Sequence, residues 1–166
     1  DNAGTGAKYT LTHVARSADF AARFLPQLGV TADEVRLVRL AIQSTGVLVD
    51  TSKLQFRDER ERILGYALGA GDMLGQMAAD NYPERLPALY REFAEAGITA
   101  YGSAADLLRQ TRGFYESNVR QMLKEQWGQV HMVLPYHFGN GRNFYLEAIE
   151  RNLDRIDRLL DESSGA

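Results

Sequence analysis

Apolar residues recur along most of this chain at steps of three and four, the spacing that lines one face of an α-helix. From 12 to 28 the recurring positions are Val14, Ala18, Ala21, Phe24, Leu25 and Leu28, with Gly29 as the stop and Pro26 disturbing the last turn. Thr31 and Glu34 form a capping box for a second helix, whose buried stripe is expected at Val35, Val38, Ala41, Ile42 and Thr45. A third helix is predicted from about 58 to 79, and a fourth from about 83 to 96 on Leu86, Leu89, Tyr90 and Phe93. Ser103 caps a fifth, which carries Leu107, Leu108, Thr111, Tyr115, Val119 and Met122 and extends toward Trp127. After the breaker HFGNGR at 137–142, Leu146, Ile149, Leu153, Ile156 and Leu160 keep a 3,4,3,4 spacing, the clearest amphipathic pattern in the chain. Residues 46–57 contain VLV, which could form a short strand, but no second strand-like run exists to pair with it. The stretch is therefore expected to be an ordered loop. The pattern predicts an all-α, single compact domain over 1–166 of about six helices, with a loop or arm at 1–10 and a frayed end at 163–166.

The stretch Ile63 to Ala79, ILGYALGAGDMLGQMAA, departs from an ordinary buried helix. Each glycine in a helix interior costs about 1 kcal/mol relative to alanine. Gly65, Gly69, Gly71 and Gly75 together imply that something approaches this helix closely. On a helical wheel the most apolar direction is set by Ala67, Leu74 and Ala78, and Asp72 lies beside Gly65, Leu68, Gln76 and Ala79, at the border of the core. Two readings follow for Asp72. It is a half-exposed carboxylate paired with an arginine, or it is a ligand for a divalent cation, which must come within about 2.0 to 2.2 Å of the oxygen and so favours small neighbours.

Composition narrows the partners. The formal charge is -3, with 25% charged residues of both signs interspersed, so no basic field exists for a nucleic acid backbone. No apolar run approaches the ~20 residues that span a bilayer, and no signal-peptide pattern opens the chain, so no membrane partner is expected and a cytoplasmic location is. The absence of cysteine excludes disulfides, thiolate metal sites and a cysteine nucleophile. The three histidines, His13, His131 and His137, include no pair four residues apart on a helix, so a self-sufficient histidine-rich metal centre is not expected. AGTGAK lacks the spacing of a phosphate-binding loop, the glycines at 65–75 follow no strand, and no G-x-S-x-G turn is present. Trp127, Phe138, Phe144 and Tyr145 read as core and helix-docking surface rather than a base-stacking platform. The same aromatics and the last helix leave a homo-oligomer open.

The segments HVARSADFAARFLPQLG, VRLVRLAIQSTG, LGYALGAGDMLGQMAADNYPERLPALYREFAEAG and NFYLEAIERNLDRI resemble the HD-domain metal-dependent phosphohydrolases of bacteria. More narrowly they resemble a group in which the late helix carries a G-x-x-D-L-L-G-Q-M-A signature. The resemblance covers nearly the whole chain from His13 onward. It implies an HD-domain-like, all-α fold and hydrolysis of a small phosphate-containing substrate, often a nucleotide, with a divalent metal such as Mn, Co, Mg, Fe or Zn. By the same resemblance Asp72 matches the later metal-binding aspartate, and Asp1 matches the aspartate of the family's His-Asp pair. His13, with Ser17, matches the start of the helix where a histidine holds a second metal or orients a ligand. Thr45 falls where two-metal members tend to have a further histidine. Neither histidine of the first metal site lies within 1–166, so the resemblance leaves two expectations: an N-terminal segment that carries them, or a member that no longer binds metal. The alternative to an enzyme is a catalytically silent helical module that binds a ligand or a protein partner.

Overall fold

A computed structural model describes residues 6–46 and 49–164. Among these residues the chain forms seven α-helices and no strand: α1 (His13–Phe24), α2 (Ala32–Gln43), α3 (Glu59–Ala78), α4 (Tyr82–Glu95), α5 (Ala104–Phe114), α6 (Leu134–His137) and α7 (Phe144–Ser164). The all-α expectation holds. The extra element is the single turn α6, inside a stretch that periodicity cannot resolve.

The boundaries follow local chemistry. The capping box at Thr31 and Glu34 is formed, and Asp58 and Ser103 accept from the backbone N–H three residues on, at the starts of α3 and α5. Gly29 takes a left-handed φ of 80° and ends the 3₁₀ turn Leu25–Leu28, which Pro26 forces on the end of α1. Beyond α5 the rod continues with π-helical winding at Tyr115–Val119 and Met122–Gln126 and stops at Trp127. The described part of the 46–57 stretch is an ordered loop. It is tied to the end of that rod by Thr51 Oγ1 donating to the Gln126 carbonyl at 2.8 Å and Gln126 Nε2 donating to the Val49 carbonyl at 2.9 Å. Val47 and Leu48, part of the VLV run, lie outside the described residues.

The core sits between α3, α4, the α5 rod and α7. Met73, Leu74 and Met77 of α3 meet Leu86, Leu107, Val119 and Leu123, and Ile149, Leu153 and Ile156 of α7 close over them. The 3,4,3,4 pattern of the last helix therefore maps onto burial as expected, with Leu146 and Leu160 partly buried at its two ends. The α1–α2 hairpin packs on α3 through α2 and is far more open. In α2 only Val35 is fully buried, and Val38, Ala41, Ile42 and Thr45 are half-buried. In α1 only Ala18 and Ala21 are buried, while Phe20, Phe24 and Leu28 are exposed.

Asn152 shows how α7 positions α3. Its side chain is buried, and Nδ2 donates to the carbonyl of Met77 at 2.8 Å, which the end of α3 leaves without an intrahelical partner, and to that of Ala79 just beyond at 2.9 Å. Asn152→Ala is expected to lower unfolding free energy by about 1 to 3 kcal/mol, because the buried Met77 carbonyl loses its donor and Ala79 keeps only the Tyr82 N–H at 2.9 Å. Urea denaturation measures this, and a variant as stable as the parent would contradict the capping role.

Candidate functional site

The glycine-rich helix presents two unlike faces. Its inward face is Gly65, Gly69, Ala70, Met73, Leu74 and Met77. Two of the four glycines are explained there by contact. A Cβ on Gly65 would stand 2.5 Å from the Phe56 ring and 2.9 Å from Ser44 Oγ, and one on Gly69 would stand 2.4 Å from both the Ser44 carbonyl oxygen and Trp127 Nε1. The end of α2 and the Trp127 indole thus lie directly on the backbone of α3.

The outward face is different. Leu64, Ala67, Leu68, Gly71, Asp72, Gly75 and Gln76 are all exposed, Leu64 with 54% of its surface open. A Cβ on Gly71 or Gly75 would find nothing within 4 Å. Helical geometry puts Asp72 on this side, one residue from Gly71 and three from Gly75, and its Oδ2 accepts from Gln76 Nε2 one turn on at 3.2 Å. No ion pair engages Asp72 among the described residues, so the arginine-paired reading of this carboxylate is not what the described chain forms.

The wheel is corrected here. Asp72 lies on the rim, exposed itself but beside the buried Gly65 and Gly69, and of Ala67, Leu74 and Ala78, which set the apolar direction of the wheel, only Leu74 is buried. Ala67 is exposed and Ala78 only half-buried. Side-chain hydropathy treats glycine as neutral, whereas here Gly65 and Gly69 face inward because backbone contact with Ser44 and Trp127 requires it.

His13 opens α1, and its Nδ1 lies 2.7 Å from the Thr10 carbonyl. The partner there is a carbonyl oxygen, so Nδ1 is the donor. His13 lines a shallow groove of about 600 Å³ with Tyr9, Arg16, Phe20, Val38 and Ile42, and the Arg16 guanidinium lies 4.2 Å over the Tyr9 ring. The groove belongs to the α1–α2 hairpin and includes no α3 residue. Asp1 lies outside the described residues. Among those described, no group of three or more His, Asp or Glu residues comes together as a metal site. A divalent ion takes about four to eight ligands. The single Asp72 carboxylate does not fit such an ion by itself.

The aromatic grouping expected around Trp127 also divides. Trp127 has no exposed surface, and its Nε1 donates to the Ser44 carbonyl at 3.1 Å. Phe138, Phe144 and Tyr145 form a separate, partly exposed group, with Phe138 and Phe144 edge to face at 5.6 Å. Periodicity had no means of separating them, since Trp127 is drawn inward by a carbonyl 83 residues away.

The fold defines an all-helical protein with an apolar outward face on α3 that carries one carboxylate. The family described as Npun_R2479-like matches residues 1–144, and the chain belongs to that family. No curated protein and no solved structure matches it. No helix among the described residues is long and apolar enough to cross a membrane.

Proposed function

We propose that this chain is an HD-type phosphohydrolase domain in which α3 contributes Asp72 as a ligand to a divalent ion, the other ligands, Asp1 among them, lying outside the described residues. The observation that supports this is the setting of Asp72. It is an exposed carboxylate without a cationic partner among the described residues, close to two glycines whose Cβ positions are open. Each of those glycines costs the helix about 1 kcal/mol, and no contact within the described chain repays it. Close approach of another group to the Asp72 face is what such a cost permits. The substrate is a small molecule bearing a phosphate ester, as the resemblance of the 64–97 segment implies.

The test is hydrolysis of a generic phosphate ester by the complete gene product, with and without added Mn²⁺, Co²⁺ or Mg²⁺. Activity is expected to require the ion and to fall by a factor of about 10² or more in Asp72→Ala, a loss of roughly 2.7 kcal/mol in transition-state stabilisation. Activity that survives both chelation and Asp72→Ala overturns the reading.

A second reading is favoured by one specific observation. Leu64 and Leu68 are about half exposed on the same side of α3 as Asp72, and contiguous apolar surface of that kind marks protein contacts. In a catalytically silent module this face would bind a protein partner, and Asp72→Ala would leave phosphate-ester turnover at the background level of the parent.

A further inference from the structure

The rod beyond α5 collects three uncommon features within a short length of chain. It is wound as π-helix over Tyr115–Val119 and again over Met122–Gln126, and such winding gathers at functional sites. Gln129 then holds a φ of 60°, the left-handed region, which costs a residue with a side chain about 1 kcal/mol or more and persists where its surroundings impose it. Two residues on, His131 Nδ1 is buried and meets no hydrogen-bond partner among the described residues. An orphaned buried nitrogen of this kind calls for a partner.

All three features border one cleft of about 600 Å³, within the size range of small-molecule sites. Leu123 and Leu146 supply apolar wall, and Arg120, Lys124, Gln129 and His131 supply polar groups. The charges around it are unequally committed. Of the two carboxylates that line it, Glu150 answers Arg112 at 3.7 Å, whereas Glu125 keeps its charge and accepts only from the neutral Gln121 amide at 3.0 Å. Arg120 and Lys124, one helical turn apart, form no ion pair among the described residues. With Glu150 paired, the cations Arg120 and Lys124 outnumber the one unpaired carboxylate, Glu125, and the cleft carries a net positive charge. Burial holds the His131 imidazole below its ordinary pKa, which keeps it neutral near pH 7 with one donor and one acceptor nitrogen.

We propose that this cleft binds a small organic phosphate, whose dianionic head is held by Arg120 and Lys124 while the His131 ring, which also lines the cleft, hydrogen-bonds to the ligand. Two cations joined by amide and imidazole groups offer more donors than the two oxygens of a carboxylate can use, and they match the three terminal oxygens of a phosphate monoester. The apolar wall of Leu123 and Leu146 favours an ester over the free ion. The cleft includes no residue of α3, so its test is independent of the role assigned to Asp72.

The test is calorimetric titration of the whole chain with phenyl phosphate, inorganic phosphate and benzoate, alongside amide chemical shifts. Phenyl phosphate is expected to bind more tightly than the other two and to shift the amides of Gln129 to Met132. Arg120 and Lys124 are exposed, so the double substitution Arg120→Gln, Lys124→Gln leaves the fold intact, as circular dichroism will check. It should weaken phenyl phosphate binding at least about tenfold. His131→Gln should weaken it as well, whereas Arg158→Gln on α7 should not. No binding of phenyl phosphate overturns the proposal, and so does equal binding by the double variant. Inorganic phosphate or benzoate binding as tightly as phenyl phosphate overturns it too.

Discussion

Trp127→Ala is expected to remove about 3 to 5 kcal/mol of unfolding free energy, the range for truncating a large aromatic side chain in a packed interior. Trp127 has no exposed surface and packs among Ala70, Leu123 and their neighbours in the core, so no solvent can relax into the space it leaves. Against a total stability of about 5 to 15 kcal/mol for a domain of this size, that loss is a large fraction of the whole. The more informative variant is Trp127→Phe. It keeps much of the apolar volume but removes the indole N–H, leaving the Ser44 carbonyl at the end of α2 without its donor. A loss of about 1 to 3 kcal/mol is expected from that change. Urea denaturation followed by far-ultraviolet circular dichroism measures both, since the chain's one tryptophan is itself replaced. A Phe variant with parental stability would show that the bond to Ser44 does not hold α2 against the rod.

The second large effect is a difference in sign among chemically identical substitutions on one helix. Gly69→Ala places a methyl group 2.4 Å from the Ser44 carbonyl oxygen and 2.4 Å from Trp127 Nε1, where a backbone oxygen and a locked indole must both move. A loss of about 1 to 3 kcal/mol is the expected scale of such overpacking. Gly71→Ala and Gly75→Ala meet nothing within 4 Å, and each should raise stability by about 1 kcal/mol through helix propensity alone. Thermal denaturation of the three variants decides the matter. If all three destabilise, the outward face of α3 is packed against something the described residues do not contain. If Gly69→Ala is neutral, the close approach of Trp127 is wrong.

How much of this was legible in the residues depends on whether the signal is local. The caps at Thr31 and Ser103, the stop at Gly29 and the buried stripe of Ile149, Leu153 and Ile156 are set within one or two turns, and reading them in sequence is enough. The direction in which α3 faces is not local. Gly65 and Gly69 turn inward because Ser44 and Trp127, far apart in the chain, converge on them, and no hydropathy wheel records that a backbone is being approached. The π winding after Phe114 has no residue signature that separates it from an α-helix, so the cleft beside Arg120 and His131 was invisible to periodicity. For the candidate site the residues identified Asp72 and His13. The structure places them on elements that α2 separates, with Asp72 exposed on the rim of α3 beside the buried Gly65 and Gly69.

The difference between the four glycines gives the functional argument its physical content. Two of them are accounted for by packing, and the other two leave open space beside an exposed carboxylate. Alanine at Gly71 or Gly75 is neutral or favourable for folding in the described structure, so any harm it does to activity would come from the outward face. Elemental analysis of the complete gene product, parent against Asp72→Ala, tests the central claim most directly. The account predicts a bound divalent metal in the parent and its loss in the variant at equal folded fraction. Equal metal content in the two proteins, or none in the parent, would contradict it.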